Sequence, residues 1–336
     1  MQRLTRILAA LTIGSSFVAH TPSAMCGTSP NAAPRYWNAM HLMQNALNAN
    51  EGIDLGALTL KGSSGALERE LAFVASQNDV VELLIGASRI EQCDFEVELD
   101  TKGPLALMPH LGAMRRALTL VRADGIVKAE RGDASAATES FAAAFRMARH
   151  VRDDTTLIGT LVGMAGFNLV ALEVNAGLDR AVFREQDKAT LRQALDRFEG
   201  EDPFGTRRAL RGERRVFIEW LRREYAKGER PSKDWLEFFT LASNEQRHPG
   251  SVKLLKAAIE RGDSLEPYFI MLDLFYEECE QAWEQPDAAS RLQQIVDRVD
   301  NGAFGPIAPV VVPNLTQIHQ KDQEAITALN SLRARL

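Results

Sequence analysis

The stretch from Pro109 to Gly177 constrains the fold most, because it holds three long helical patterns separated by clear boundary signals. Pro109 suits the first turn of a helix, where the N–H group that proline lacks would have no partner. Gly132 ends this helix, as glycine does where the backbone must turn left-handed. Asp133 is then placed to cap the second helix. The pattern predicts a helical hairpin centred on Gly132.

The second helix carries a narrow apolar stripe made largely of small residues. Its members are Ala137, Phe141, Ala144, Phe145 and Ala148. Small side chains on one face let a neighbouring helix approach closely. Asp153 and Asp154 interrupt the pattern, and we predict that they cap a third helix over residues 155–177. The hairpin is therefore interpreted as a packing unit and not as a catalytic site.

Helical patterns cover most of the remaining chain, which predicts an all-α protein of antiparallel hairpins joined by short links. The other predicted helices span residues 35–48, 66–76, 79–89, 185–198, 203–226, 233–241, 251–260, 265–283, 288–299 and 315–336. Residues 93–99 alternate apolar and acidic side chains in the manner of a strand. Because no second strand lies nearby, we expect an extended segment packed on helices.

The first hairpin partly matches the tetratricopeptide pattern, a helix–turn–helix unit of about 34 residues. In a register that starts at Leu118, four of eight consensus positions match: Gly125, Ala137, Phe141 and Ala144. The positions that differ are Val121, Asp124, Lys128 and Arg149. No second copy of comparable quality follows. A TPR-like right-handed array and an irregular helical bundle therefore both stay open.

The first 24 residues are typical of a secretory signal peptide. Arg3 and Arg6 precede a mostly apolar run that is too short to span a bilayer. Cys26 lies in a poor lipobox, because Met25 occupies a place that requires a small residue. No later segment has 18 consecutive apolar residues, so no transmembrane span is predicted in the mature chain. We expect an exported, periplasmic or cell-envelope protein.

The chain of 336 residues is long enough to bury a sizeable core. We predict a signal peptide over 1–24, N-terminal helices with an extended segment over 25–108, a helical-hairpin domain over 109–301, and a proline-rich joint with a C-terminal helix over 302–336.

The net charge of −6 and the scarcity of aromatic residues argue against a nucleic-acid partner. Cys26, Cys93 and Cys279 are scattered, so one disulfide or three unpaired thiols are both open.

Four stretches carry a resemblance to other proteins: residues 31–37 (NAAPRYW), 93–95 (CDF), 107–111 (LMPHL) and 148–154 (ARHVRDD). Leu157, Ile158, Leu161 and Val162 follow the last of them. Taken together, the stretches resemble an uncharacterised family of exported, all-helical, TPR-like bacterial proteins. The resemblance covers roughly the first two thirds of the chain. It implies no activity, so no functional residue is carried over from it.

The sequence holds few groups arranged for catalysis. No histidine lies in an H-E-x-x-H arrangement, and nucleophile-elbow, Walker and dinucleotide-binding motifs are absent. His150 with Asp153 and Asp154 forms the best polar cluster, and a histidine beside a carboxylate can act as a general base. Glu277, Glu280 and Glu284 share a helical face that a hard cation could use, although a solvated face is the simpler interpretation. We predict no cofactor, no metal and no catalytic residue.

The most basic stretch covers residues 207–223, where arginines alternate with apolar side chains. A basic amphipathic helix can bind a membrane surface or an anionic glycan. The acidic helix over residues 266–284 could instead pair with it inside the fold. The candidate binding residues are Arg207, Arg211, Arg214, Trp220 and Arg222.

We expect a non-enzymatic protein-interaction module that binds another envelope protein in a groove between stacked helix pairs. Two alternatives stay open. The face over residues 207–223 could bind anionic lipid or glycan at the envelope surface. An enzyme of unrecognised type could use His150, Asp153 or the acidic face from Glu277 to Glu284.

Overall fold

The computed structural model describes residues 30–60, 68–153, 155–226, 249–311 and 314–336. Within these ranges the chain forms 14 α-helices and no β-strand, which confirms the predicted all-α class. The predicted signal peptide, Cys26, Asp154 and the predicted helix over residues 233–241 lie outside the described residues.

The helices are numbered here in chain order. They are α1 (Ala33–Ala49), α2 (Glu68–Ser76), α3 (Asn78–Ser88), α4 (Leu99–Lys102), α5 (Pro109–Glu130), α6 (Ala134–Arg152), α7 (Leu157–Asp179), α8 (Glu185–Leu195), α9 (Thr206–Ala226), α10 (Pro249–Arg261), α11 (Glu266–Trp283), α12 (Ala288–Asp300), α13 (Ala308–Val311) and α14 (Leu315–Arg335). Two short 3-10 turns lie at Leu55–Ala57 and Gly103–Leu105.

The boundaries of the predicted hairpin follow the sequence signals. Pro109 opens α5. Gly132 has a φ of +80°, which a residue with a side chain rarely adopts. The carboxylate of Asp133 accepts the Ala136 N–H at 3.0 Å and so caps α6. The alternating segment over residues 93–99 forms no strand. Its backbone is irregular up to residue 98, and the Phe95 side chain packs against the apolar core.

The predicted cap of the third helix is wrong for Asp153. Asp153 still has helical backbone angles and ends α6, so it cannot begin the next helix. Thr156 has an extended backbone directly before α7, and its hydroxyl accepts the Gly159 N–H at 3.1 Å. The Asp153 carboxylate instead accepts hydrogen bonds from Arg152 at 2.8 Å and Arg208 at 3.0 Å.

Helix α6 lies at the centre of the fold, packed against α3, α5, α7 and α8. The stripe predicted for it is fully buried: Ala137, Phe141, Ala144, Phe145 and Ala148 are each 0% exposed. Glycines on the neighbouring helices make this close packing feasible. A Cβ on Gly125 of α5 would lie 2.8 Å from the Phe141 ring, and one on Gly163 of α7 would lie 2.8 Å from the Ala148 carbonyl oxygen.

Helices α5 and α7 both run antiparallel to α6 and therefore run parallel to each other. Leu118 of α5 packs over Gly166 of α7, and Arg122 of α5 binds Glu173 of α7 further along both helices. The Arg122–Glu173 pair is almost entirely buried, with an N–O distance of 2.8 Å. The same two side chains bind the backbone of Leu55 and Leu60. This network fixes the loop before α2 across the two parallel helices.

Two apolar cores are present among the described residues. The first combines α1–α3 and α5–α8, so it takes residues from both sides of position 108. The second lies among α9–α12. Helix α14 joins them, because Leu315 and Ile318 are in the second core while Leu329 and Leu332 are in the first. The C-terminal helix is thus integral to both cores.

We predict that Gly163→Ala lowers the free energy of unfolding by about 1–3 kcal/mol, because its methyl group would meet backbone atoms of α6. Gly86→Ala is the matched control, since nothing lies within 4 Å of a Cβ there and α3 is helical at that point. This control should leave stability unchanged or raise it by about 0.5–1 kcal/mol. Urea unfolding measures both, and a Gly163→Ala protein as stable as the wild type would contradict the packing described.

Candidate functional site

The arginines predicted to bind an anionic surface are paired inside the fold. Helix α9 packs against α11, which presents its acidic side chains to them. The ion pairs are Arg207–Glu284 at 3.6 Å, Arg211–Glu280 at 3.1 Å, Arg214–Asp273 at 2.6 Å and Arg222–Glu266 at 2.8 Å. The positive charge of the face over residues 207–223 is therefore largely matched by α11.

Trp220, the aromatic residue predicted at the same surface, is a core residue. Its side chain is 2% exposed and packs against Gly103, where a Cβ would lie 2.3 Å from the indole. Gly103 also has a φ of +54°. Both the close indole and this backbone conformation therefore favour glycine at this position. Trp220 packs the 3-10 turn at Gly103–Leu105 against α9, and its buried side chain is not accessible to a ligand.

The acidic face of α11 faces these arginines. Glu280 and Glu284 bind the arginines of α9, and Glu277 lies 3.9 Å from Arg214. Cys279 is buried on the same helix, and burial raises the pKa of its thiol. Among the described residues no group of three histidine, cysteine or acidic side chains is arranged to hold a metal ion.

The four stretches that carry the family resemblance meet at one place. Asn31 and Asp94 exchange two hydrogen bonds, at 2.8 Å and 2.9 Å. The Phe95 ring stacks on His110 with centroids 4.5 Å apart. Tyr36 Oη lies 2.9 Å from His150 Nδ1, deep in the first core. These contacts tie the N-terminal segment to α5 and α6.

His150 does not form the general-base pair with Asp153 that we considered. Its ring is 1% exposed, and Nε2 lies 3.1 Å from an Arg149 nitrogen. A guanidinium can only donate, so Nε2 accepts and Nδ1–H donates to Tyr36. Burial, together with the charge of Arg149, lowers the pKa of His150 to about 4. The imidazole is a neutral structural link, and Asp153 is held by Arg152 and Arg208.

Two surface clefts of about 460 Å³ each are lined mainly by charged side chains. The first is lined by Arg149, Arg152, Asp196, Arg197, Glu199, Asp202, Gly205 and Arg208. Its arginines already bind Glu91 and Asp153. The second surrounds the turn between α5 and α6. Neither cleft presents a set of unpaired groups arranged for catalysis.

Helix α7 carries a surface that the sequence reasoning missed. It is the one described helix long and apolar enough to cross a membrane by length and composition, with a mean hydropathy of 1.8 over its 18-residue window. The fold buries 61% of that window, as expected for a core helix. The remainder is exposed although α7 has no charged residue before Glu173. The signal in the sequence was the absence of any charged residue over residues 157–172. A helix that is apolar on all sides is normally buried on all sides, so an exposed face on such a helix is unusual.

The exposed part of α7 forms a continuous row, which we name the α7 stripe: Ile158, Val162, Ala165, Leu169 and Leu172. The spacing of four, three, four and three residues keeps one face of a helix. Leu172 is 55% exposed and Leu169 is 36% exposed. Ala165 is exposed, and Ile158 and Val162 are half-buried.

The neighbours of α7 border this stripe on two sides. Gly163 contacts α6 below, Gly166 and Glu173 contact α5 on one side, and Asn175 binds Arg335 of α14 on the other. At about 100° per residue, the α7 stripe lies between the α5 and α14 contacts and opposite α6. We name this surface the α7 groove: the α7 stripe is its floor, and α5 and α14 are the walls that border it.

No protein-family model matches the chain, no curated protein is similar to it in sequence, and no solved structure is similar to its fold. The family resemblance stays a prediction.

We predict that the His150 imidazole stays neutral with its proton on Nδ1 between pH 7 and pH 5, because burial and Arg149 disfavour its charged form. A histidine pKa near 6.5 in the unfolded chain means that the unfolded state binds more protons between pH 4 and 6.5. His150 therefore contributes stability that is present above pH 6.5 and is lost as pH falls through 4. Nitrogen NMR of labelled histidine checks the tautomer, and titration of this ring near pH 6.5 would contradict it.

Proposed function

We propose that this chain is an exported, non-enzymatic protein-interaction module whose binding surface is the α7 groove. One observation carries the proposal: α7 leaves an apolar row, exposed at Ala165, Leu169 and Leu172, between two flanking helices. Exposed apolar patches on otherwise folded proteins mark sites of protein or membrane contact. Full burial of an exposed leucine side chain is worth about 1.5–3 kcal/mol. Leu169 is 36% and Leu172 is 55% exposed, so covering the two together would contribute about that amount to a binding free energy.

The alternative functions receive less support from the contacts. The arginines of α9 that would bind an anionic lipid or glycan are engaged with α11. His150 is buried, neutral and hydrogen-bonded on both ring nitrogens. The acidic face of α11 is neutralised by α9. Export rests on the signal-peptide pattern of residues 1–24 and on the expectation that the partner is another envelope protein.

A site-specific crosslinking experiment tests the proposal. A photoreactive amino acid at Leu172 should capture one discrete protein partner in intact cells, because this position lies on the floor of the α7 groove. Leu42 of α1 is the matched control, since it is also an exposed leucine, at 43% against 55% for Leu172. The control position should give no such product. Leu169→Ser should reduce capture at Leu172 by about tenfold or more, while circular dichroism shows an unchanged fold.

Two results would contradict the proposed function. One is equal capture of the same products at Leu172 and Leu42, which would indicate non-specific contact. The other is capture at neither position under conditions in which a surface control protein crosslinks to its known partner.

A further inference from the structure

The α5 wall of the α7 groove carries two adjacent arginines, Arg115 and Arg116, both exposed. Because α5 and α7 run parallel and Leu118 packs at Gly166, Arg115 lies about one helical turn earlier, level with Val162. Arg116 and Thr119 continue the same side of α5 away from α7. Helical geometry therefore places Arg115 beside the apolar floor and Arg116 on the outer side of the same wall.

No carboxylate in the part of the chain that the structure describes forms an ion pair with either arginine. Partial burial lowers the pKa of Arg116, and no acidic neighbour counteracts this effect. Arg122, two turns further along α5, differs because Glu173 counteracts the burial of its guanidinium. The acidic groups on α7 are themselves engaged, Glu173 by Arg122 and Asp179 by Arg335. Among the described residues, the positive charge at Arg115 and Arg116 therefore has no acidic partner.

The shape of the floor favours a helical occupant. The α7 stripe runs along the helix axis from Ile158 to Leu172, about 21 Å at 1.5 Å per residue. All three elements around the groove are helices whose backbone groups are bonded internally, so they offer no edge to an extended peptide. An extended peptide would leave backbone groups unpaired against an apolar floor, whereas a helix satisfies its own.

Resting on the proposed function, we infer that the α7 groove binds an acidic amphipathic helix of a partner protein. The partner's apolar residues, spaced i, i+3 or i+4 and i+7, pack on the α7 stripe. Its Asp or Glu residues lie along one edge and pair with Arg115 and Arg116. The attraction between these exposed charges weakens with added salt, while the apolar contact does not.

Fluorescence anisotropy with labelled synthetic helices tests this inference on the full mature chain. One peptide of about 18 residues carries leucines on one face and glutamates along one edge; a second replaces each glutamate with lysine. We expect the glutamate peptide to bind at least tenfold more tightly at about 50 mM salt, with a smaller difference at about 300 mM. Arg115→Gln with Arg116→Gln should reduce the difference to threefold or less.

The matched control variant is Arg131→Gln with Arg215→Gln, which removes the same charge at two other exposed positions. It should retain the full preference for the glutamate peptide. Thermal unfolding of each variant verifies that the fold is unchanged. Leu172→Ser should weaken the binding of both peptides, because the leucines of both contact the apolar floor.

The outcomes distinguish the inference from the function on which it rests. Equal binding of both peptides, lost in Leu172→Ser, would overturn the acidic partner and leave the α7 groove as a binding surface. Binding of neither peptide, together with binding of anionic or neutral vesicles, would overturn the helical partner. A dimer in sedimentation that Leu172→Ser dissolves would also overturn it, by making a second copy the occupant. The proposed function itself is tested separately by the crosslinking: equal capture at Leu172 and Leu42, or capture at neither position, would remove it as well.

Discussion

The close packing of α6 is the constraint on which the rest of the structure depends. A helix can be enclosed on several sides only if its neighbours approach closely, and here alanines on α6 meet glycines on α5 and α7. Short turns make α5 and α7 both antiparallel to α6, so the two lie parallel to each other against it. One face of α7 packs against α6, and α5 and α14 cover only its two flanks. The face opposite α6 is therefore exposed to solvent. The exposed α7 stripe is thus a consequence of how α6 is buried.

Polar contacts near both ends of α7 fix its position relative to the neighbouring helices. Near its start, the Glu213 carboxylate of α9 accepts the Leu157 N–H at 3.0 Å, and burial raises the pKa of that carboxyl to about 7. Further along, Glu173 binds Arg122 and the Leu60 backbone. At the end, Arg335 of α14 binds Asn175 and Asp179. These partners come from α5, α9 and α14, so both cores position the same helix.

Local signals in the sequence were sufficient for much of the fold and for none of the proposed site. Gly132 and Asp133 act through their own backbone neighbourhood, and small residues at helical spacing report close packing wherever the partner comes from. The arginines of α9 could be assigned to internal pairing or to a ligand, and only the position of α11 decides between them. Tyr36 and His150 are separated by 114 positions, so nothing local predicts their contact. The α7 stripe was hidden for the same reason, because its exposure depends on where α5 and α14 lie.

Carbene footprinting of α7 tests most directly the claim that the α7 stripe is a surface kept free for a partner. The reagent labels apolar side chains that solvent reaches, and mass spectrometry locates the label. The account predicts that Leu169 and Leu172 are labelled in the purified mature protein and protected in intact cells that express it, while Leu42 is labelled in both. Absence of label at Leu169 and Leu172 in the purified protein would show that the chain covers the stripe itself. Equal labelling in both settings would show that no partner covers it, and either result would contradict the account.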